Sequence, residues 1–279
     1  MPSTLVSAEE LAAHLSDPSW AVVDCRHVLA DHSAGRKQYG SGHIPGAFFA
    51  DVENDLAGER TGRNGRHPLP DWETFGGYLR AIGVNDDTQI VAYDAGGDMF
   101  AARLWYLLRL AGHDRSAVLD GGIAAWTAAG HALETQDPQK RGDGTIGVRV
   151  RTELAVEADA VLRSLQTNEF TLLDARGADR FAGQNETIDP VAGHIPGAIN
   201  RPFRSNFDET GHFKTPSRLR EEFAALPIPA GQIVHQCGSG VSAAVNMLAM
   251  AVAGLPLRPL YPGSWSEWIA DGTRPMVTF

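Results

Sequence analysis

The chain has 279 residues, of which 43% are hydrophobic and 21% charged, a length and balance suited to two ordinary globular domains. A formal net charge of −10 and a pI near 5.4 argue against nucleic acid or an anionic membrane surface as a partner. The N-terminus has no basic segment followed by a long apolar one, no apolar run reaches membrane-spanning length, and the two cysteines, Cys25 and Cys237, form neither a disulfide framework nor a zinc-ligand cluster. The expected compartment is the cytoplasm.

In chain order, hydrophobic periodicity and capping residues predict a helix over 8–15, a strand over 21–25, a helix over 71–81, a strand over 89–93, and helices over 100–111 and 123–129. The polar, glycine- and proline-containing stretch that follows reads as a linker, placed at 135–151. Beyond it come a helix over 152–165, a strand over 171–175, a helix over 217–225, a strand over 232–236 and an alanine-rich helix over 241–253. These boundaries imply an N-terminal domain over 1–134 and a C-terminal domain over 152–279.

The second half repeats the first. Gly-His-Ile-Pro-Gly-Ala occurs at 42–47 and again at 193–198, Val22-Val23-Asp24-Cys25-Arg26 matches Leu172-Leu173-Asp174-Ala175-Arg176, and Gly121 with Trp126 matches Gly263 with Trp268, all in the same order. Short continuous apolar strands alternating with helices predict an α/β fold in each copy, a parallel sheet with helices on both faces. Ligands of such sheets bind at the carboxyl ends of the strands.

Cys237 lies at one of those ends. In Ile233-Val234-His235-Gln236-Cys237-Gly238-Ser239-Gly240-Val241-Ser242-Ala243, a β-branched strand runs into a cysteine, a glycine-rich loop and a helix. The main-chain N–H groups of Gly238, Gly240, Val241 and Ser242 are expected to surround the sulfur and favour the thiolate. A merely structural cysteine would not need the glycines, which leave room for a ligand beside the sulfur. The first copy has Asp94 at the aligned position, so only the second copy is expected to be catalytic, with the first completing a cleft and stabilising its neighbour. His43 and His194, Asp24 and Arg26, and Asp174 and Arg176 recur in both copies, which fits turn structure better than chemistry. Cys25 reads as a small core residue, and Trp126, Trp265 and Trp268 as packing, with Trp265 also a candidate to line the cleft.

Two rival readings are weaker. A cysteine phosphatase needs an arginine after five intervening residues, and Ala243 stands there. A non-catalytic binding or redox-sensing module would not need the intact Cys237 loop, and a sensor would want a resolving cysteine nearby.

Over essentially the whole chain these motifs resemble the tandem-domain rhodaneses, the thiosulfate and 3-mercaptopyruvate sulfurtransferases. The repeated hexapeptide, Asp174-Ala175-Arg176, the segment Tyr261-Pro262-Gly263-Ser264-Trp265-Ser266-Glu267-Trp268 and the Cys237-Gly238-Ser239-Gly240-Val241 loop carry the resemblance. It implies two rhodanese-like α/β domains, an inactive N-terminal copy, and a Cys237 persulfide that passes sulfur from a small anionic donor to a thiol, such as thioredoxin or glutathione, or to cyanide. It also implies a catalytic relay containing Ser239, to which His67 and Glu53 are the matching histidine and acid, and a donor-binding arginine, Arg180. No metal or organic cofactor is implied. The uncharged loop leans the reading to 3-mercaptopyruvate. Asp189, where that branch carries a second arginine, points instead to thiosulfate, and Arg201 or Arg204 is a candidate for the missing charge.

Overall fold

The computed structural model describes residues 4–97, 99–139, 142–228 and 232–278. The N-terminal residues 1–3, and Lys140 and Arg141 of the expected linker, lie outside them. The chain forms two compact units. The first comprises Met1–Gly58, Pro70–Arg151 and Phe207–Phe213, the second Glu59–Leu69, Thr152–Asn206 and Lys214–Phe279. Two short segments therefore belong to the unit opposite the one their sequence neighbours form.

In the first unit, five strands make a parallel sheet in the order β1-β5-β4-β2-β3, with β1 at Leu5–Val6, β2 at Trp20–Asp24, β3 at Phe48–Phe49, β4 at Gln89–Tyr93 and β5 at Ser116–Leu119. Central β4 is buried along its whole length, as a strand covered on both faces must be. Helices α1 (Ala8–His14) and α3 (Trp72–Ala81) start where Ser7 Oγ accepts the Glu10 N–H and an Asp71 carboxylate oxygen accepts the Thr74 N–H. The remaining helices of this unit are α2 (Ala34–Ser41), α4 (Phe100–Leu110) and α5 (Gly122–Ala128). Val22, Val91, Leu119, Leu11 and Trp126 are among the residues of one core cluster.

The second unit repeats the plan with a parallel sheet ordered β7-β6-β8: β6 at Thr171–Asp174, β7 at Ile199–Asn200 and β8 at Ile233–Gln236. Parallel bridges from His235 to Leu260 and from Leu260 to Ala155 extend it. That extension corrects the helix expected over 152–165. A 3-10 turn occupies Thr152–Leu154, the Val156 N–H donates to the Leu260 carbonyl, and the helix, α6, begins only at Ala158–Thr167. Pairing at a sheet edge has overridden local helical periodicity. The other helices here are α7 (Ala178–Phe181), α8 (Pro216–Ala224), α9 (Ala243–Val252) and α10 (Ser264–Trp268). Helix α9 is buried from Ala243 to Met250, which fits its nearly all-apolar composition.

The repeated hexapeptide has the same job in both units. Arg26 forks onto Asp24 and also donates to the Gly42 carbonyl, and Arg176 forks onto Asp174 and donates to the Gly193 carbonyl, pinning each turn to its strand. His43 stacks on Tyr39 at 3.9 Å and His194 on Phe181 at 4.0 Å, each with Nδ1 2.9 Å from that aromatic residue's carbonyl oxygen. These residues are structural, as their presence in both copies suggested. Among the described residues, no helix is long and apolar enough to cross a membrane.

Candidate active site

Strand β8 ends at Gln236 and helix α9 starts at Ala243, so the six residues Cys237, Gly238, Ser239, Gly240, Val241 and Ser242 form the loop between them. The helix begins two residues later than its composition suggested, leaving the Val241 and Ser242 amides in the loop. The Gly240 N–H donates to Cys237 Sγ at 3.2 Å. The amides of Gly238, Val241 and Ser242 make no hydrogen bond to that sulfur. Gly240 has φ +73°, a left-handed conformation, and a Cβ there would lie 2.4 Å from the Pro262 carbonyl oxygen. The second loop glycine is therefore required by both conformation and close approach.

The segment 261–268 holds this loop from below. Ser264 Oγ accepts the Cys237 N–H at 3.1 Å and donates to the Tyr261 carbonyl at 2.8 Å. The Trp265 and Ser266 N–H groups then bind the carbonyls of Cys237 and Gly238 at 3.0 and 2.9 Å. Trp265 and Trp268 are fully buried, with their indole N–H groups on the Val191 and Pro275 carbonyls, so both are core residues. Ser264 itself has φ +54°, which the sequence did not signal.

Segment 59–69 brings further side chains to the loop. Gly65 sits so close to Gly263 that a Cβ would meet its carbonyl oxygen at 2.8 Å, and the Arg66 N–H donates to Ser266 Oγ at 3.0 Å. Next in sequence, buried His67 places Nδ1 2.8 Å from Ser239 Oγ. The hydroxyl donates to the neutral tautomer with a bare Nδ1 and accepts from the other.

Arg180, at the end of short α7, points its guanidinium at Gly238: a Cβ on that glycine would lie 3.6 and 3.8 Å from Arg180 Nη2 and Nη1. Its Nε donates to Glu186 and its Nη2 to Asp189 at 3.0 Å. Burial raises the Asp189 carboxyl above its ordinary value, against the pull of Arg66 and Arg180.

Of the residues singled out in the sequence, Cys237, Ser239, Gly240, His67 and Arg180 thus share one unit and surround one loop. Glu53 lies in the first unit, its carboxylate 3.7 Å from His27 Nε2 and 3.9 Å from His32 Nδ1. The Arg201 guanidinium is engaged by Asn206 and Glu222 and lies over the Phe223 ring, while that of Arg204 lies over Phe203. The arginine that does approach the Cys237 loop beside Arg180 is Arg66, which sequence reading passed over although it adjoins His67. A Cβ on Gly238 would come within 2.9 Å of Arg66 Nη2.

The aligned loop of the first unit is built on the same frame with different chemistry. The Asp94 carbonyl accepts the Ile123 N–H at 2.9 Å, as the Cys237 carbonyl accepts that of Trp265. A Cβ on Gly96 would meet the Gly121 carbonyl at 2.5 Å, as one on Gly240 would meet that of Pro262. The Asp94 carboxylate accepts the N–H groups of Gly96, Phe100 and Ala101 at 3.0 to 3.1 Å, so the amides at the start of α4 serve a side chain of the protein. Cys25, at the end of β2, is fully buried; burial, then Asp24, Asp94 and Asp55, push its thiol well above the ordinary value.

Two parallel α/β units, one with a cysteine in the loop between strand and helix and the other with aspartate at the aligned place, define a duplicated cysteine-loop protein. The rhodanese-like domain model matches residues 7–129 and 157–271, and the chain belongs to the rhodanese family in its tandem sulfurtransferase form. It is 46% identical over 278 residues, 98% of each chain, to a Pseudomonas aeruginosa protein described as a "probable 3-mercaptopyruvate sulfurtransferase". It is 33% identical to the thiosulfate sulfurtransferase of Rattus norvegicus, covering 95% of this chain and 90% of that one. The crystal structure of an Escherichia coli 3-mercaptopyruvate sulfotransferase with the rhodanese fold superposes with a TM-score of 0.82 at 34% identity, over 94% of this chain and 99% of that one.

Proposed function

We propose that this sulfurtransferase carries sulfane sulfur on Cys237, taking it from 3-mercaptopyruvate by preference and delivering it to a thiol or to cyanide. The observation that carries this reading is the environment of Sγ: one main-chain N–H on the sulfur itself, with the Ser239 and His67 pair and the Arg180 guanidinium at the adjoining residues. The thiolate attacks the donor sulfur, the donor's C–S bond breaks, and its electron pair leaves with carbon as pyruvate enolate. The proton once on the donor thiol completes pyruvate's methyl group, and Cys237 is left as the persulfide anion. A thiolate acceptor then takes the outer sulfur, which regenerates the Cys237 thiolate. The outer sulfur lies about 2 Å beyond Sγ, and the Gly238, Val241 and Ser242 amides, none bonded to Sγ, are the donors suited to it.

The preference rests on the Ser239 hydroxyl held by His67. Mercaptopyruvate has a ketone to polarise and a leaving enolate to protonate, and thiosulfate has neither. Thiosulfate remains the alternative donor, because sulfite leaves without a proton and a guanidinium binds either anion. In this reading a thioredoxin-like dithiol or glutathione is the acceptor, and the setting is the cytoplasm, where two unpaired cysteines persist. Steady-state turnover of each donor with cyanide, against a Cys237→Ser blank, tests it. A higher kcat/KM for 3-mercaptopyruvate supports the preference, a higher one for thiosulfate reverses it, and full turnover by Cys237→Ser overturns the persulfide.

A further inference from the structure

The donor brings a carboxylate or sulfonate to the Cys237 loop, and of the cationic positions that the family resemblance implies, only Arg180 reaches it. The next expected position holds a carboxylate, Asp189. Arg201 is committed to Asn206 and Glu222. We infer that Arg66 is the second donor-binding arginine of this protein, recruited from the segment that also supplies His67 and held in place by Asp189. The inference rests on the sulfurtransferase reading of Cys237.

Gly238 follows the reactive sulfur directly and has no side chain to cover it. The spot where its Cβ would be lies 2.9 Å from Arg66 Nη2, 3.6 Å from Arg180 Nη2 and 3.8 Å from Arg180 Nη1. Two guanidiniums thus converge over one main-chain residue. Asp189 joins them, one carboxylate oxygen on Arg66 Nη1 and the other on Arg180 Nη2. A single carboxylate spanning both forks shows that their separation suits an oxyanion of that size. Asp189 engages only one nitrogen of each. Arg66 Nη2 and Arg180 Nη1, the nitrogens facing Gly238, donate to no other group among the described residues. With 26% of the Arg66 side chain and 19% of the Arg180 side chain exposed, an incoming anion can reach both, while the Asp189 side chain, 2% exposed, cannot be displaced by solvent. Asp189 is a positioning residue here: where a second arginine would have bound the donor directly, its carboxylate binds the arginine that does.

The segment survives loss of the Arg66 side chain, because the Arg66 tether to Ser266 Oγ is a main-chain bond and Gly65 is seated on Gly263. Binding can therefore be separated from folding. The test is calorimetric titration of full-length Cys237→Ser protein, which cannot react, with 3-mercaptopyruvate and with its methyl ester, which lacks the carboxylate. Adding Arg66→Ala should raise Kd for the acid at least tenfold, as should Arg180→Ala, and leave the ester's Kd within twofold; Arg66→Lys should recover part of the loss. An unchanged Kd for the acid in Arg66→Ala, equal weakening of acid and ester, or no binding of the acid to the parent protein would each overturn the assignment. Turnover of the protein with Cys237 intact is a separate measurement, so failure of the sulfurtransferase reading would show there and not in this titration.

Discussion

His67 Nδ1 and Ser239 Oγ lie 2.8 Å apart in a fully formed hydrogen bond, although 172 residues separate them in sequence. Both are buried, and Ser239 is two residues from Cys237. If the pair serves the enolate leaving group, Ser239→Ala and His67→Ala should each lower kcat with 3-mercaptopyruvate about 10²-fold, within the usual range for a general acid or base. With thiosulfate the loss should stay below tenfold by the same argument. Equal losses with both donors in parallel assays would assign the pair to the shape of the loop.

Gly240→Ala asks the loop for a conformation and a space it does not have. A left-handed residue with a Cβ costs about 1–2 kcal/mol, and the methyl would press on the Pro262 carbonyl from 2.4 Å. The variant should unfold several degrees lower by calorimetry, and mass spectrometry after one equivalent of donor should find little persulfide. Normal persulfide yield would mean that the loop tolerates the added Cβ with its sulfur site intact.

Asp94→Ala removes the acceptor of three main-chain donors, those of Gly96, Phe100 and Ala101. Loss of such a cap costs about 1–2 kcal/mol, which a thermal melt will register as a fall of several degrees. Turnover at a temperature where the variant is folded should stay within twofold of the parent. Collapse of kcat in the folded variant would give the first copy's loop a part in the chemistry.

The acid limb of stability should carry the signature of His235. This fully buried residue in β8 is pushed down by burial to about 3, whereas in the unfolded chain it takes up a proton near its ordinary value. Between those limits the unfolded chain binds more protons, so stability rises with pH, by at most about 1.4 kcal/mol per unit from this group. The contribution is complete above the unfolded value and is lost as pH falls below it. Urea titrations of the parent and of His235→Phe between pH 7 and 4.5 should show a shallower slope in the variant. Identical slopes would place the acid sensitivity elsewhere.

What could be read from the sequence was whatever is local. Strand β4 occupies 89–93 as expected, because the four apolar residues Ile90-Val91-Ala92-Tyr93 bounded by turns leave little choice. The Cys237 loop was legible because its strand, sulfur and glycines are contiguous. The start of α6 was not, since what keeps Val156 out of a helix is a bond to Leu260. Nor were β3 and β7, two residues each, or α10, which opens on Ser264 at positive φ. At the site, His67 and Arg180 came from resemblance, whereas Arg66 was missed because its meeting with Asp189 spans 123 residues and no spacing rule connects them.

The assignment of Glu59–Leu69 to the second unit, and of Phe207–Phe213 to the first, bears on how the duplicated halves can be cut and inherited. A fragment beginning at Thr152 would keep the cysteine, its strand and its helix, yet arrive without the histidine and arginine that dress the loop. Once such an exchange is established, neither half is a free-standing module. A deletion of the first copy, harmless in a simple tandem repeat, would here take His67 and Arg66 away from the Cys237 loop.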